Sequence, residues 1–239
     1  MTLWYEGPLA ALALRSRQPG PGGEDGGADP EADRLTAAAL VTQETGHTAV
    51  RAHSWTVAPC GAAGPVVEAL ARALTCGPVR GRPLAVAHAP YDLTLLDREL
   101  RRHRHTPLTG YLGGRSLCVL DPVLLHRHLN RGAGGPSGPE DLSGLSARYG
   151  TPAPAAAACP PGQEPPGPPE SDAVAALELV RALGRHFAPR LAPLTPAALH
   201  TLQAVWFAAE VRGASAWFAP RTNPGAVSPA WPLRPAVAA

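Results

Sequence analysis

Eight of the twenty residues at 151–170 (TPAPAAAACPPGQEPPGPPE) are proline. Proline removes a backbone donor and clashes with the preceding turn, so neither a regular helix nor a central strand can run through such a segment. The 239-residue chain must therefore build its ordered parts on either side of it. The Gly- and Pro-rich stretches 19–27 and 131–139 break the chain in the same way. Hydrophobic residues still make up 45% of the chain and charged residues 17%, which supports a buried core and excludes wholesale disorder. Residues 151–170 are expected to be irregular, because five alanines offer little apolar surface to offset the entropy of ordering them.

Between the breaks the periodicities are readable. LAALAL (9–14) is a candidate strand, although its alanines leave a helix open. RLTAAALVTQ (34–43) and TAVRAHSWTV (48–57), joined by a turn around Gly46, predict an antiparallel hairpin. Residues 64–75 place Val66, Val67, Leu70, Ala73 and Leu74 on one helical face, with Pro65 suited to a first turn. PLAVAHA (83–89) and SLCVLD (116–121) read as short buried strands, each followed by a helix, at 93–103 and 123–130. After the proline tract come a long amphipathic helix at 171–187, with Ser171 as its expected N-cap, and a shorter one at 195–213. Strands that precede and alternate with helices, including an early hairpin, make the fold class α/β with a mixed sheet.

Several chemistries find no support. A net charge of +2 is too mild to imply nucleic acid by itself. The chain has no lysine, so every cation other than a charged histidine is an arginine, able to grip phosphate in a bidentate fork. Cys60, Cys76, Cys118 and Cys159 are widely spaced and form no C-x-x-C motif, against a zinc ribbon or a redox pair. His103/His105 and His126/His128 have a spacing that could share a metal on a strand, but in an Arg-rich helix end they read as a solvated face. Neither a G-x-S-x-G elbow nor a P-loop is present. No apolar run approaches the roughly 18–20 residues of a membrane span, and the first residues lack the basic region of a signal peptide. The expectation is a soluble cytoplasmic protein with no membrane partner.

AHAPYDLTLLDRELRRH (87–103) resembles the second motif of the DnaQ-like 3′–5′ exonucleases, the family of the DNA polymerase III epsilon subunit, and is closest to an actinobacterial branch. LDPVLLHRHLNR (120–131) is similar to that branch's next strand and helix. DAVAALELVRALGRHF (172–187) is similar to the helix carrying its third motif, and LTPAALHTLQAVWFAAE (194–210) with AWPLRP (230–235) to its C-terminal extension. The resemblance implies a ribonuclease-H-like fold with a mixed five-stranded sheet flanked by helices. It places an exonuclease-like domain over 1–190 and a helical extension and tail over 191–239. It also implies Mg²⁺ or Mn²⁺ as cofactor, single-stranded nucleic acid 3′ ends as substrate, and a polymerase or other protein as partner.

In that family two divalent cations about 3.5–4 Å apart activate water and stabilise the leaving oxygen. Four carboxylates hold them: an Asp-x-Glu pair on the first strand, an Asp in the second motif and an Asp in the third. In one subclass a His five residues before the last Asp is the general base. Two positions match here. Asp92 stands at the second-motif Asp, although an N-cap of the 93–103 helix would suit it equally. Asp172 stands at the third, although a first-turn carboxylate favoured by the helix dipole would look the same. Ala13 and Arg15 occupy the places of the first-motif Asp and Glu, and Gly167 that of the general-base His. Asp29-Pro30-Glu31 reproduces the Asp-x-Glu string, but Pro30 denies it a central-strand setting. His88 stands near a family Asn, which is absent.

No catalytic set is intact, so the expected protein is a catalytically impaired member, at most a nucleic-acid-binding pseudoenzyme that holds no metal. The alternatives are an active metal-dependent exonuclease, a protein-interaction module, or a decayed gene product. Arg98, Arg101 and Arg102, with Arg15 and Arg104, are the candidate phosphate contacts. Arg15 is further expected to point toward Asp92 and Asp172 and to pair with one or both, its guanidinium replacing the missing cation charge.

Overall fold

The computed structural model describes residues 3–18, 28–58, 61–75, 79–130, 141–154, 168–218 and 228–236. Gly167, Cys60, Cys76, Cys159 and most of the proline tract lie outside these residues. The chain opens with a 3-10 turn at Trp4–Glu6, followed by β1 (Leu9–Arg17), β2 (Arg34–Gln43) and β3 (Arg51–Thr56). Then come α1 (Gly64–Thr75), β4 (Leu84–Ala85), α2 (Ala89–Arg104), α3 (Leu108–Leu112), β5 (Val119–Leu120) and α4 (Pro122–Leu129). The last elements are α5 (Leu142–Tyr149), α6 (Pro169–His186), α7 (Ala188–Leu191) and α8 (Pro196–Phe218).

The strands form one five-stranded sheet in the order β3-β2-β1-β4-β5. β1 pairs antiparallel with β2, and β2 with β3, while β4 pairs parallel with β1 and β5 with β4. This is an α/β fold with a mixed sheet flanked by helices, consistent with a ribonuclease-H-like arrangement. The ambiguity of LAALAL is settled by position: β1 lies at the centre, pairing with β2 on one side and β4 on the other. Its residues alternate between two cores. Ala10 and Leu12 face the cluster built with α1, α2 and α3, and Leu9, Ala11 and Ala13 face the one built with α4 and α6.

Several boundaries move. The third strand is shorter than 48–57, since only Arg51–Thr56 pairs with β2. α2 begins four residues before the expected 93, so Asp92 is a first-turn residue and not the N-cap; His88 holds that place in a left-handed conformation (φ 57°, ψ 43°). α6 begins at Pro169, inside the tract expected to be irregular, because a proline's missing donor costs nothing in a first turn. Ser171 is therefore not the N-cap: its Oγ donates to the Pro168 carbonyl at 2.8 Å. Residues 151–154 do lack regular structure.

α6 spans the sheet and fastens the N-terminus to it. Its Arg181 has no solvent exposure and donates to Gln43 Oε1 at 2.9 Å, to the Gly7 carbonyl at 3.1 Å and to the Tyr5 carbonyl. One turn on, Gly184 leaves room for the Tyr5 ring; a Cβ there would come within 2.6 Å of Tyr5 Cβ and closer still to the ring. Gly184→Ala should therefore destabilise the protein by about 1–3 kcal/mol, the cost of overpacking a filled core, despite alanine's better helix propensity. A lowered melting midpoint in calorimetry checks this, and an unchanged or raised one would refute the close approach.

Candidate functional site

The chain's carboxylates gather where the parallel strands end, the edge at which open α/β sheets ordinarily bind ligands. β1 brings Arg15 there, the turn after β4 brings His88 and Asp92, β5 brings Asp121, and the first turn of α6 brings Asp172. Arg15 Nη2 donates to Asp172 Oδ2 at 2.7 Å, with the two side chains 5% and 14% exposed. Strand alternation explains the aim: Ala13 lies in the apolar cluster with Ala173 and Leu177 of α6, and Arg15, two residues on, emerges on the same face at the helix's first turn.

Asp92 is buried on α2. Burial holds its carboxyl well above the usual carboxylate range; the Leu14 backbone N–H donates to it and pulls the other way, while the charges of Asp121 and Asp172 push it up again. Asp121 is also raised by burial, against the pull of His88 and of three backbone amides. Those amides define its structural work. Its Oδ1 caps α4 by accepting from Val123 N at 2.9 Å and Leu124 N at 3.2 Å, and its Oδ2 accepts from Ala89 N at 3.0 Å. One side chain thus fixes the start of α4 and the start of α2, the helix that carries Asp92. Asp121 went unnoticed in the sequence, where Asp-Pro before an apolar run was the available signal of an N-cap.

A second polar group borders the site. Tyr91 donates to Asp33 Oδ2, and its hydroxyl also meets Ser16 Oγ at 2.6 Å. Burial, then the bond to Asp33, raises the Tyr91 phenol above its ordinary value and keeps it protonated. These contacts tie the end of β1 and the turn before β2 to the first turn of α2. The Asp29-Pro30-Glu31 string lies in that turn and outside β1: Glu31 N donates to Asp29 Oδ1 at 3.0 Å, and its carboxylate is taken by Arg98.

The arginines read as phosphate contacts are spent internally. Arg98 is 6% exposed, with Nε and Nη2 each 2.7 Å from the Glu31 carboxylate and Nη1 2.7 Å from Asp97 Oδ2. Arg101 shares Asp97 at 2.6 Å. Arg102 donates to Glu99 Oε1 at 2.6 Å, to the Asp33 carbonyl at 2.9 Å and to the Glu31 carbonyl. Arg104 pairs with Glu68 at 2.7 Å. Of these four only Arg101 is classed as exposed, so Arg98 and Arg102 bind the turn before β2 and have no free fork for a phosphate. Arg17 at the end of β1 and His88 before α2 are exposed basic side chains at this edge of the sheet.

The histidine pairs also part company. On α4 the i,i+2 spacing sends His126 Nδ1 to the Tyr149 hydroxyl at 2.8 Å and His128 Nε2 to Glu210 at 2.9 Å, on different sides of the helix. His128 further stacks on Trp206 at 4.7 Å between centroids. Cys118 is a free thiol, pushed up to about 11 by burial. Among the described residues no group of three or more His, Cys, Asp and Glu side chains is arranged to hold a metal ion. The residues of the resemblance do not fit a two-cation centre: Ala13 offers no donor, and Arg15 places a positive charge on Asp172.

No protein-family model matches the chain, and no curated protein matches it. Among the described residues no helix is long and apolar enough to cross a membrane.

Proposed function

We propose that this protein is a non-cleaving relative of the DnaQ-like 3′–5′ exonucleases that engages nucleic acid 3′ ends without hydrolysing them. One observation carries the reading. At the strand position where the resemblance puts a metal-binding Glu stands Arg15, and its guanidinium is paired with the Asp that would share that metal. A guanidinium supplies one fixed positive charge and five donors, but it neither lowers the pKa of a bound water nor stabilises a leaving oxygen as a divalent cation does. The strand order supports the family reading, and the α2 motif with Asp92 at its first turn agrees with it. In this reading Arg15 and Asp172 hold β1 to α6, Asp121 orients α2, and Arg17 with His88 offers the exposed positive rim for phosphate.

Purified protein is expected to release no 3′ nucleotides from single-stranded DNA with Mg²⁺ or Mn²⁺. Robust release that disappears in Asp92→Ala would overturn the reading in favour of an active enzyme. Binding to an end-labelled oligonucleotide is expected to weaken steeply as salt rises, as phosphate contacts require. Absence of binding even at low salt would instead favour a protein-interaction module, with a polymerase or another protein as partner.

A further inference from the structure

Residues 228–236, the last described stretch, have no regular secondary structure and are nevertheless held against the fold. Trp231 and Leu233 pack on the apolar cluster that α1, α2 and α3 share. The Trp231 ring lies 5.7 Å from Phe207 of α8, and its indole N–H meets His200 Nδ1 at 3.4 Å. The backbone is captured by side chains of α2. Arg234 N donates to Thr94 Oγ1 at 3.1 Å, and Arg98 Nη2 donates to the Pro235 carbonyl at 2.8 Å and to the Arg234 carbonyl at 3.4 Å.

The receiving groups are set in advance. Thr94 has no exposure and Arg98 only 6%, and Glu31 clamps Arg98 with two bonds of 2.7 Å. Buried side chains that bond to the backbone of a segment without regular structure, with apolar anchors two residues apart, are the working parts of short-peptide recognition. The occupant suits them: prolines at 229, 232 and 235 fix φ at three positions and so lower the entropy lost on docking.

We infer that the face between α2 and α8 is a peptide-binding groove for an irregular, proline-containing segment with Trp and Leu two residues apart, and that residues 228–236 are its resident, displaceable ligand. This inference is independent of the nucleic-acid reading. A tethered segment experiences an effective concentration on the order of millimolar, so an intrinsic affinity of about 10 μM keeps the groove filled about 99% of the time. A partner carrying the same chemistry must compete with that tether or meet the groove while it is open.

The test uses the full chain with Trp231→Ala and Leu233→Ala together, which empties the anchors, and a fluorescent peptide of residues 228–236. The variant should bind the peptide saturably, at least about tenfold more tightly than the parent chain does. Adding Thr94→Val to the variant should weaken that binding. A folded variant that binds no better than the parent would overturn the inference. Hydrogen exchange on the unaltered protein gives a second arm should the variant fail to fold. The amide of Arg234, which donates to Thr94 Oγ1, should exchange at least about 100-fold faster than those at the centre of α6, through local opening. Equal protection would make the segment an inseparable part of the core and overturn the groove.

Discussion

Truncating Arg15 to alanine should cost about 3 kcal/mol of stability at neutral pH, a loss typical of removing one partner from a buried ion pair. The Arg15 side chain is 5% exposed and Asp172 14%, so water can replace the lost guanidinium only in part. The damage extends beyond the pair. Asp92 and Asp121 are close enough for the charges of Asp121 and Asp172 to raise Asp92, and without Arg15 the group loses its cation.

The comparison that isolates the pair is a double-mutant cycle. Arg15→Met with Asp172→Leu fills the space with apolar atoms and removes both charges, and it should cost less than Arg15→Met alone. Urea unfolding of the four proteins measures this. If the double variant loses at least the sum of the singles, Arg15 and Asp172 do not act as a pair and the replaced-metal reading loses its physical basis.

The elements most legible in the sequence were those whose pattern is local. The β2–β3 hairpin followed from two strand-like runs and a Gly46 turn, and α2 from Leu93, Leu96 and Leu100 on one face. The resemblance, with strand alternation from Ala13, aimed Arg15 at Asp92 and Asp172, and its guanidinium meets Asp172. What escaped depends on contacts distant in sequence. Arg98, Arg101 and Arg102 look like a solvated basic stripe, and only the folded chain brings Glu31 and the carbonyls of residues 234 and 235 to Arg98. Asp121 carries no motif, yet it caps α4 and receives Ala89 N because β4 and β5 are neighbours. α5 (Leu142–Tyr149) sits between two low-complexity stretches and was not anticipated, although Asp141 Oδ1 caps it by accepting from Gly144 N at 2.7 Å.

Replacing Asp92 by asparagine should stabilise the protein at neutral pH. Burial, with the charges of Asp121 and Asp172, holds the Asp92 carboxyl well above its ordinary value of 3.8. In the unfolded chain it ionises near that value, so over a window above about pH 4 the folded state keeps a proton that the unfolded state has lost. Stability therefore declines as pH rises through that window and levels off above the folded-state value. Asparagine is neutral in both states and its Oδ1 still accepts from the Leu14 N–H, so the variant should escape the decline. The gain is about 1.4 kcal/mol for each unit by which the fold raises Asp92, and the two stability curves should converge at about pH 4 and below. Urea unfolding at several pH values follows both proteins. The same proton bears on function: a divalent cation reaching Asp92 would have to displace it and share the site with Arg15. Curves that stay parallel from about pH 4 to about pH 8 would mean that Asp92 is ionised in the native protein, and the remnant carboxylate would again be available to a metal.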